Sequence, residues 1–282
     1  MRWRKMKNNI KRSNSRLDFK IGNEYIVKSK RSQVTIFIII GIIIVAAIIG
    51  FFLLYYKTEI RILKPSITEP QQYIDKCVRD ATYEAIDIML PQGGYLNPGN
   101  YKLYNDTKIA YLCYTNLFYK SCVMREPMYI EHLQDEITDY ITPKVETCFQ
   151  TLKLELEREN YKVVMEEMNL TTKLAMHSVE INMDRKVEIG KQGETRKFEN
   201  FKSYLNSPLY DLAIVAQEIA SQEAKFCYFE YVGFMALYPE FSIDKKQFGE
   251  GEGASKIYFI IDRNSEKKLS VAIRSCAVPA GF

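Results

Sequence analysis

The chain has 282 residues, 47% hydrophobic and 26% charged, with 39 Lys+Arg against 35 Asp+Glu for a formal net charge of +4. The apolar share excludes a disordered chain, the charged share excludes a multi-span membrane protein, and 13 glycines and 9 prolines exclude a collagen-like or low-complexity chain. No internal repeat of roughly 20–50 residues is present, and the length fits one large or two small domains of roughly 100–200 residues.

The mild average charge hides a split. Residues 1–33 hold eleven basic residues against Asp18 and Glu24; residues 34–56 hold no charge; the remainder from Lys57 holds 28 basic and 33 acidic residues. The basic stub 1–33 has neither hydrophobic periodicity nor a nucleic-acid motif, so no nucleic-acid partner is expected. Residues 34–56, VTIFIIIGIIIVAAIIGFFLLYY, form a 23-residue apolar run with no polar face. At 1.5 Å per residue such a helix matches a hydrocarbon core of roughly 30 Å, and it exceeds the roughly 7–15 apolar residues of a cleavable signal. Tyr55 and Tyr56 suit an interfacial belt. The sequence therefore predicts a single transmembrane helix over 34–56, with the lipid bilayer as partner and self-association of that helix as a second contact. Basic residues beside a span stay on the cytoplasmic side. That predicts a cell-membrane protein with a cytoplasmic N-terminus and residues 57–282 outside.

Residues 57–69 read as a linker, and 70–160 as the mainly helical part of the ectodomain. A helix is expected from Pro70 to about Leu90, with Thr68 as cap, ending at the turn Pro91-Gln92-Gly93-Gly94. Residues 95–129 read as an irregular or hairpin-like stretch rich in Tyr. Ile130, Leu133, Ile137, Tyr140 and Ile141 then keep helical spacing, and Pro143 is expected to break or restart that helix.

Residues 161–282 read as the strand-rich part. Strands are expected over 163–165, 174–183 and 186–189, with a turn at 191–193. Ser207 and Pro208 fit the N-cap and first turn of a helix whose apolar face is Leu209, Leu212, Ala213, Ala216, Ile219 and Ala220. Residues 256–262 and 269–275 read as two antiparallel strands. Helices first and strands later, without βαβ alternation, predict an α+β fold: one N-terminal transmembrane helix, then a disulfide-stapled extracytoplasmic domain.

All six cysteines lie beyond residue 56, which fits an oxidising exterior. Six cysteines allow fifteen connectivities, and periodicity narrows them. Cys77 shares an apolar stripe with Tyr73, Ile74, Val78, Ala81 and Ala85, and Cys148 one with Val145, Phe149 and Leu152, so packing the two helices joins Cys77 to Cys148. Cys113 and Cys122 bracket a short loop, leaving Cys227 with Cys276. Zinc is the rival reading, but no CxxC pair occurs and neither histidine lies near two cysteines.

Catalytic signals are weak. His132 and His177 are the two histidines, HExxH and GxSxG are both absent, and nothing raises a Ser–His–Asp triad above chance. The loop GEGEG at 249–253 lacks a following GK[ST], and its two glutamates would repel phosphate, so it reads as a hairpin connection. Glu250 and Glu252 lack the spacing of a calcium loop. No catalytic residue, metal ligand or cofactor is predicted. The 20 tyrosines and 15 phenylalanines read mainly as core, with a glycan or protein partner surface as the alternative use. Asn105 and Asn169 head glycosylation sequons.

Lys30-Arg31-Ser32-Gln33-Val34-Thr35, running into Ile36-Phe37-Ile38-Ile39-Ile40-Gly41, resembles the class III, prepilin-like signal of archaeal surface proteins. That resemblance implies cleavage between Ser32 and Gln33 and a freed apolar helix able to pack as a filament core. Leu90-Pro-Gln-Gly-Gly-Tyr95 and Val271-Ala-Ile-Arg-Ser-Cys-Ala-Val-Pro279 resemble uncharacterised archaeal membrane-anchored surface proteins, which bring no activity with them. The expected function is a non-enzymatic, single-pass membrane-anchored envelope protein with an extracytoplasmic binding or structural domain that meets a surface protein or glycan. A pilin-like filament subunit and an extracytoplasmic hydrolase are the alternatives.

Overall fold

In the computed structural model, which describes residues 31–59 and 69–281, the apolar run lies inside one helix, α1 (Arg31–Glu59). Among the described residues no helix is long and apolar enough to cross a membrane. The expected transmembrane helix over 34–56 is corrected accordingly, and with it the single-pass anchor. The side chains described in α1 run from Phe37 to Phe51. The stub 1–30 and the linker residues 60–68, Thr68 included, lie outside the described residues, as do the side chains of Ser32 and Gln33.

The remainder, Leu63–Phe282, forms one unit. Helix α2 (Pro70–Met89) has Pro70 in its first turn and buries Ile74, Val78, Ala81 and Ala85 along one stripe. It ends in a 3-10 turn, Leu90–Gln92, followed by Gly93 and Gly94 at φ +76° and +83°. A β-carbon on Gly94 would lie 2.5 Å from both Leu133 Cδ2 and Tyr129 Oη, so the residue is glycine for space as well as for φ. Strands β1 (Tyr101–Tyr104) and β2 (Thr107–Tyr114) make a hairpin, and β3 (Val123–Met124) pairs back onto β2.

Helix α3 (Tyr129–Arg158) runs through Pro143 without the expected break. Pro143 is exposed, whereas Leu133, Ile137, Ile141, Val145, Phe149, Leu152 and Leu156 bury one continuous stripe. Packing of that stripe outweighs the hydrogen bond a proline removes.

Then follow β4 (Lys162–Met165), β5 (Asn169–Ala175), β6 (Ser178–Asp184), β7 (Val187–Lys191), β8 (Glu194–Phe198), β9 (Phe201–Asn206), α4 (Leu209–Phe226), α5 (Tyr231–Leu237), β10 (Phe241–Phe248), β11 (Ser255–Asp262) and β12 (Lys268–Arg274). The strand expected over 174–183 is instead the β5–β6 hairpin, turning at His177 with φ +55°. Helix α4 starts at Leu209, and Ser207 Oγ accepts from the Leu209 N–H at 3.2 Å.

Two three-stranded sheets, β4-β7-β8 and β5-β6-β9, accompany a six-stranded sheet of order β1-β2-β12-β11-β10 with β3 off β2. Within the larger sheet β12 pairs in parallel with β2; the other pairs are antiparallel. One face packs Leu112, Tyr258, Ile260, Leu269, Val271 and Ile273 into the main core, which also holds the stripes of α2, α3 and α4. The other face buries a smaller cluster, Ile109, Tyr111, Ile257, Phe259 and Ala272. Four strand spacings would separate β1 from β10 by about 19 Å in a flat sheet. Yet Lys246 Nζ of β10 donates to Tyr104 Oη of β1 at 2.6 Å, and the Tyr104 and Phe248 rings lie 5.6 Å apart. The sheet therefore curls into a trough, closed at its lip by side chains.

Disulfides join Cys77 to Cys148, Cys113 to Cys122 and Cys227 to Cys276, with Cα separations of 6.5, 5.4 and 5.8 Å. The first ties α2 to α3, the second closes the β2–β3 loop, and the third ties the end of α4 to the residues after β12. The fold is α+β and disulfide-linked, without a membrane-spanning helix among the described residues.

Candidate functional site

Glu223 continues the apolar stripe of α4, four residues after Ile219 and seven after Ala216, so helical periodicity aims its carboxylate into the core. It has no exposed surface. Lys256 and Tyr258, alternate residues of β11, meet it there. Lys256 Nζ donates to the two carboxylate oxygens at 2.9 and 2.7 Å and to the Cys227 carbonyl at 2.6 Å, which uses all three ammonium hydrogens. Tyr258 Oη donates to Glu223 Oε1 at 2.5 Å. Burial, and then the adjacent carboxylate, hold the Tyr258 hydroxyl well above the usual phenol range, so it stays a donor.

The surrounding backbone is tied in as well. Ser275 Oγ donates to the Glu223 carbonyl at 2.9 Å and accepts from the Cys122 N–H at 3.1 Å, linking two cystines to one helix end. Cys227 and Cys276 both take left-handed backbone conformations, φ +57° and +48°, which their disulfide holds together.

This centre lies in the wall of a cleft of about 560 Å³ bordered by Tyr228, Lys245, Phe248, Lys256 and the Cys227–Cys276 pair. Lys256 is 14% exposed at its side chain, whereas Glu223 is sealed off. A ligand in the cleft therefore meets ammonium, amide and aromatic groups and the side chain of Glu250, and never the Glu223 carboxylate. Lys245 lies over the rings of Tyr228 and Tyr231 at 5.1 and 5.0 Å.

The residues singled out from the sequence lie elsewhere. His132 sits on α3 with its ring centroid 4.2 Å from Tyr95, and its Nε2 is buried with no partner. His177 is 78% exposed, its Nδ1 3.0 Å from Asp211 Oδ2. Its own backbone N–H donates to the same oxygen at 3.0 Å, so the pair fixes the β5–β6 turn. All six cysteines are in disulfides, and among the described residues no group of three or more His, Cys, Asp or Glu is arranged to hold a metal. Gly249 and the 3-10 turn Gly251–Gly253 connect β10 to β11, and Glu250 borders the cleft; the Glu252 side chain lies outside the described residues. Asn105 and Asn169 are both exposed. Glu223, Lys256 and Tyr258 carried one overlooked signal, an acidic residue in register with an alanine- and isoleucine-rich helical stripe.

Comparison of the chain with protein-family models, curated proteins and solved structures finds no match.

Proposed function

We propose that the chain is a non-enzymatic binding domain of an oxidising, extracytoplasmic compartment, with the cleft beside the Cys227–Cys276 disulfide as its contact region. The observation that carries this reading is the state of Glu223, a fully buried carboxylate whose oxygens are occupied by Lys256 and Tyr258. Groups so completely bonded are held still and unavailable for proton transfer, which favours a rigid contact surface over a reactive one. The three disulfides support the compartment.

The full chain, assayed against ester, phosphate, glycoside and peptide substrates, is expected to turn over none of them. Its six cysteines are expected to resist maleimide until a reductant is added. Turnover abolished by His132→Ala or His177→Ala would overturn the reading.

One observation favours a second reading, a filament-type subunit processed before Gln33. Every side chain of α1 from Phe37 to Ile49 is exposed, and they are apolar or glycine all round but for their backbone. A helix with no polar side is covered in its working state, and copies of itself would cover it. A native N-terminus at Gln33 together with high-mass particles supports this reading; an intact Met1 ends it.

A further inference from the structure

The trough formed by the curled sheet has a lip of unusual composition. Lys102 of β1 lies 5.3 Å over the Phe248 ring and donates to the Gly253 carbonyl at 2.9 Å. Lys246 of β10 lies 5.0 Å over the Tyr104 ring, and Lys268 of β12 lies 5.4 Å over that of Phe259. None of the three lysines forms an ion pair with a carboxylate among the described residues. Strand alternation puts one acidic residue of β10, Asp244, on the same face as Lys246 and Phe248. The hydrogen bond to Tyr104 holds the Lys246 ammonium above its usual range, so it is charged at neutral pH.

We propose that this lip binds an acidic polysaccharide of the uronic-acid type, Lys102, Lys246 and Lys268 pairing with its carboxylates. The half-buried rings of Phe248 and Tyr104 and the buried ring of Phe259 hold the three ammonium groups on one face of the sheet. The ammonium groups already in place supply the charge complement.

Overall charge favours a sparsely charged polyanion over a densely charged one. From Lys57 onward the chain holds 28 basic and 33 acidic residues, so a polyphosphate that ran beyond the lip would meet net negative charge. A glycan with one charge per sugar can use the three lysines and leave the rest of the surface alone. Only Phe248 is shared with the cleft beside Cys227–Cys276, so this is a second surface, beyond the function proposed above.

The test is titration of the full chain with polygalacturonate at low and high salt, beside dextran, polyglutamate and single-stranded DNA. Salt-sensitive binding to polygalacturonate and none to dextran is expected. Lys102→Gln/Lys246→Gln should weaken it about tenfold, in keeping with two partly exposed charge contacts, and Lys245→Gln in the cleft should leave it unchanged. If the double variant melts early, Lys268→Gln takes its place, with a smaller loss expected. No binding, binding indifferent to these lip variants, or equally tight binding of polyglutamate or DNA overturns the proposal. Loss on Lys245→Gln alone would move the glycan into the cleft, sinking this site while leaving the binding-domain reading intact.

Discussion

Glu223 shows how much one misplaced charge can cost in this core. Removing its carboxylate leaves the Lys256 ammonium, 14% exposed, facing apolar helix and strand. Glu223→Ala should therefore destabilise the protein by about 3–5 kcal/mol in urea titration. Adding Lys256→Met should recover part of that loss, a coupling that a double-mutant cycle reads directly. Gly94 is constrained differently. Ala at that position puts a methyl against Tyr129 and Leu133 at positive φ, and a loss of about 1–3 kcal/mol is expected in the same titration.

Glu146 gives a dependence on pH. Arg185 donates to its two oxygens at 2.6 and 3.2 Å and holds the carboxyl below its ordinary range. Unfolded, the same carboxyl titrates at about 4.3. Its contribution to stability is thus complete above that value and is lost as the pH falls through the lower folded pKa. The gap in urea midpoint between wild type and Glu146→Gln should be widest near neutrality and close in the acid range.

Among elements, α3 invites the sharpest test. Pro143 is exposed and lies within a helix, so replacing it sacrifices no packing and restores a backbone donor. Pro143→Ala should raise stability by up to about 3 kcal/mol, read as a shift in melting temperature.

The same element shows which features were legible in the sequence. The α2, α3 and α4 stripes were readable because each buries one face at helical spacing, and the α2 and α3 stripes also selected the Cys77–Cys148 pair that the structure joins. Strand β8, Glu194–Phe198, was not readable, since four of its five residues are exposed and none alternates inward. In β10 only Phe241 and Ile243 are buried, so its charged second half resembled a loop. The β5–β6 turn was hidden because His177, rather than glycine, takes the left-handed conformation. The candidate site was hidden for a further reason: Glu223 and Lys256 lie 33 residues apart, and neither residue alone signals burial. The apolar run 34–56 was conspicuous, but hydropathy alone gave it a role that the described residues of α1 do not support.

For the molecule as a whole, the three disulfides differ in access. Cys113 and Cys122 are buried, while Cys227 and Cys276 are both partly exposed at the cleft. Under limiting thiol reductant, alkylation mapping should find Cys227 and Cys276 modified first and Cys113 and Cys122 last, because exchange requires an approaching thiolate. Cys77–Cys148 closes the longest loop, with a separation of 71 residues. Replacing both by Ser should lower stability by about 2–4 kcal/mol.

Strand β12, which ends at Arg274, fills the middle of the large sheet, between β2 and β11. The hairpins on either side, β1–β2 and β10–β11, both precede it in the chain, and each keeps an open edge until β12 enters between them. A variant in which β12 cannot pair would lose its keystone and present two sticky margins to its neighbours.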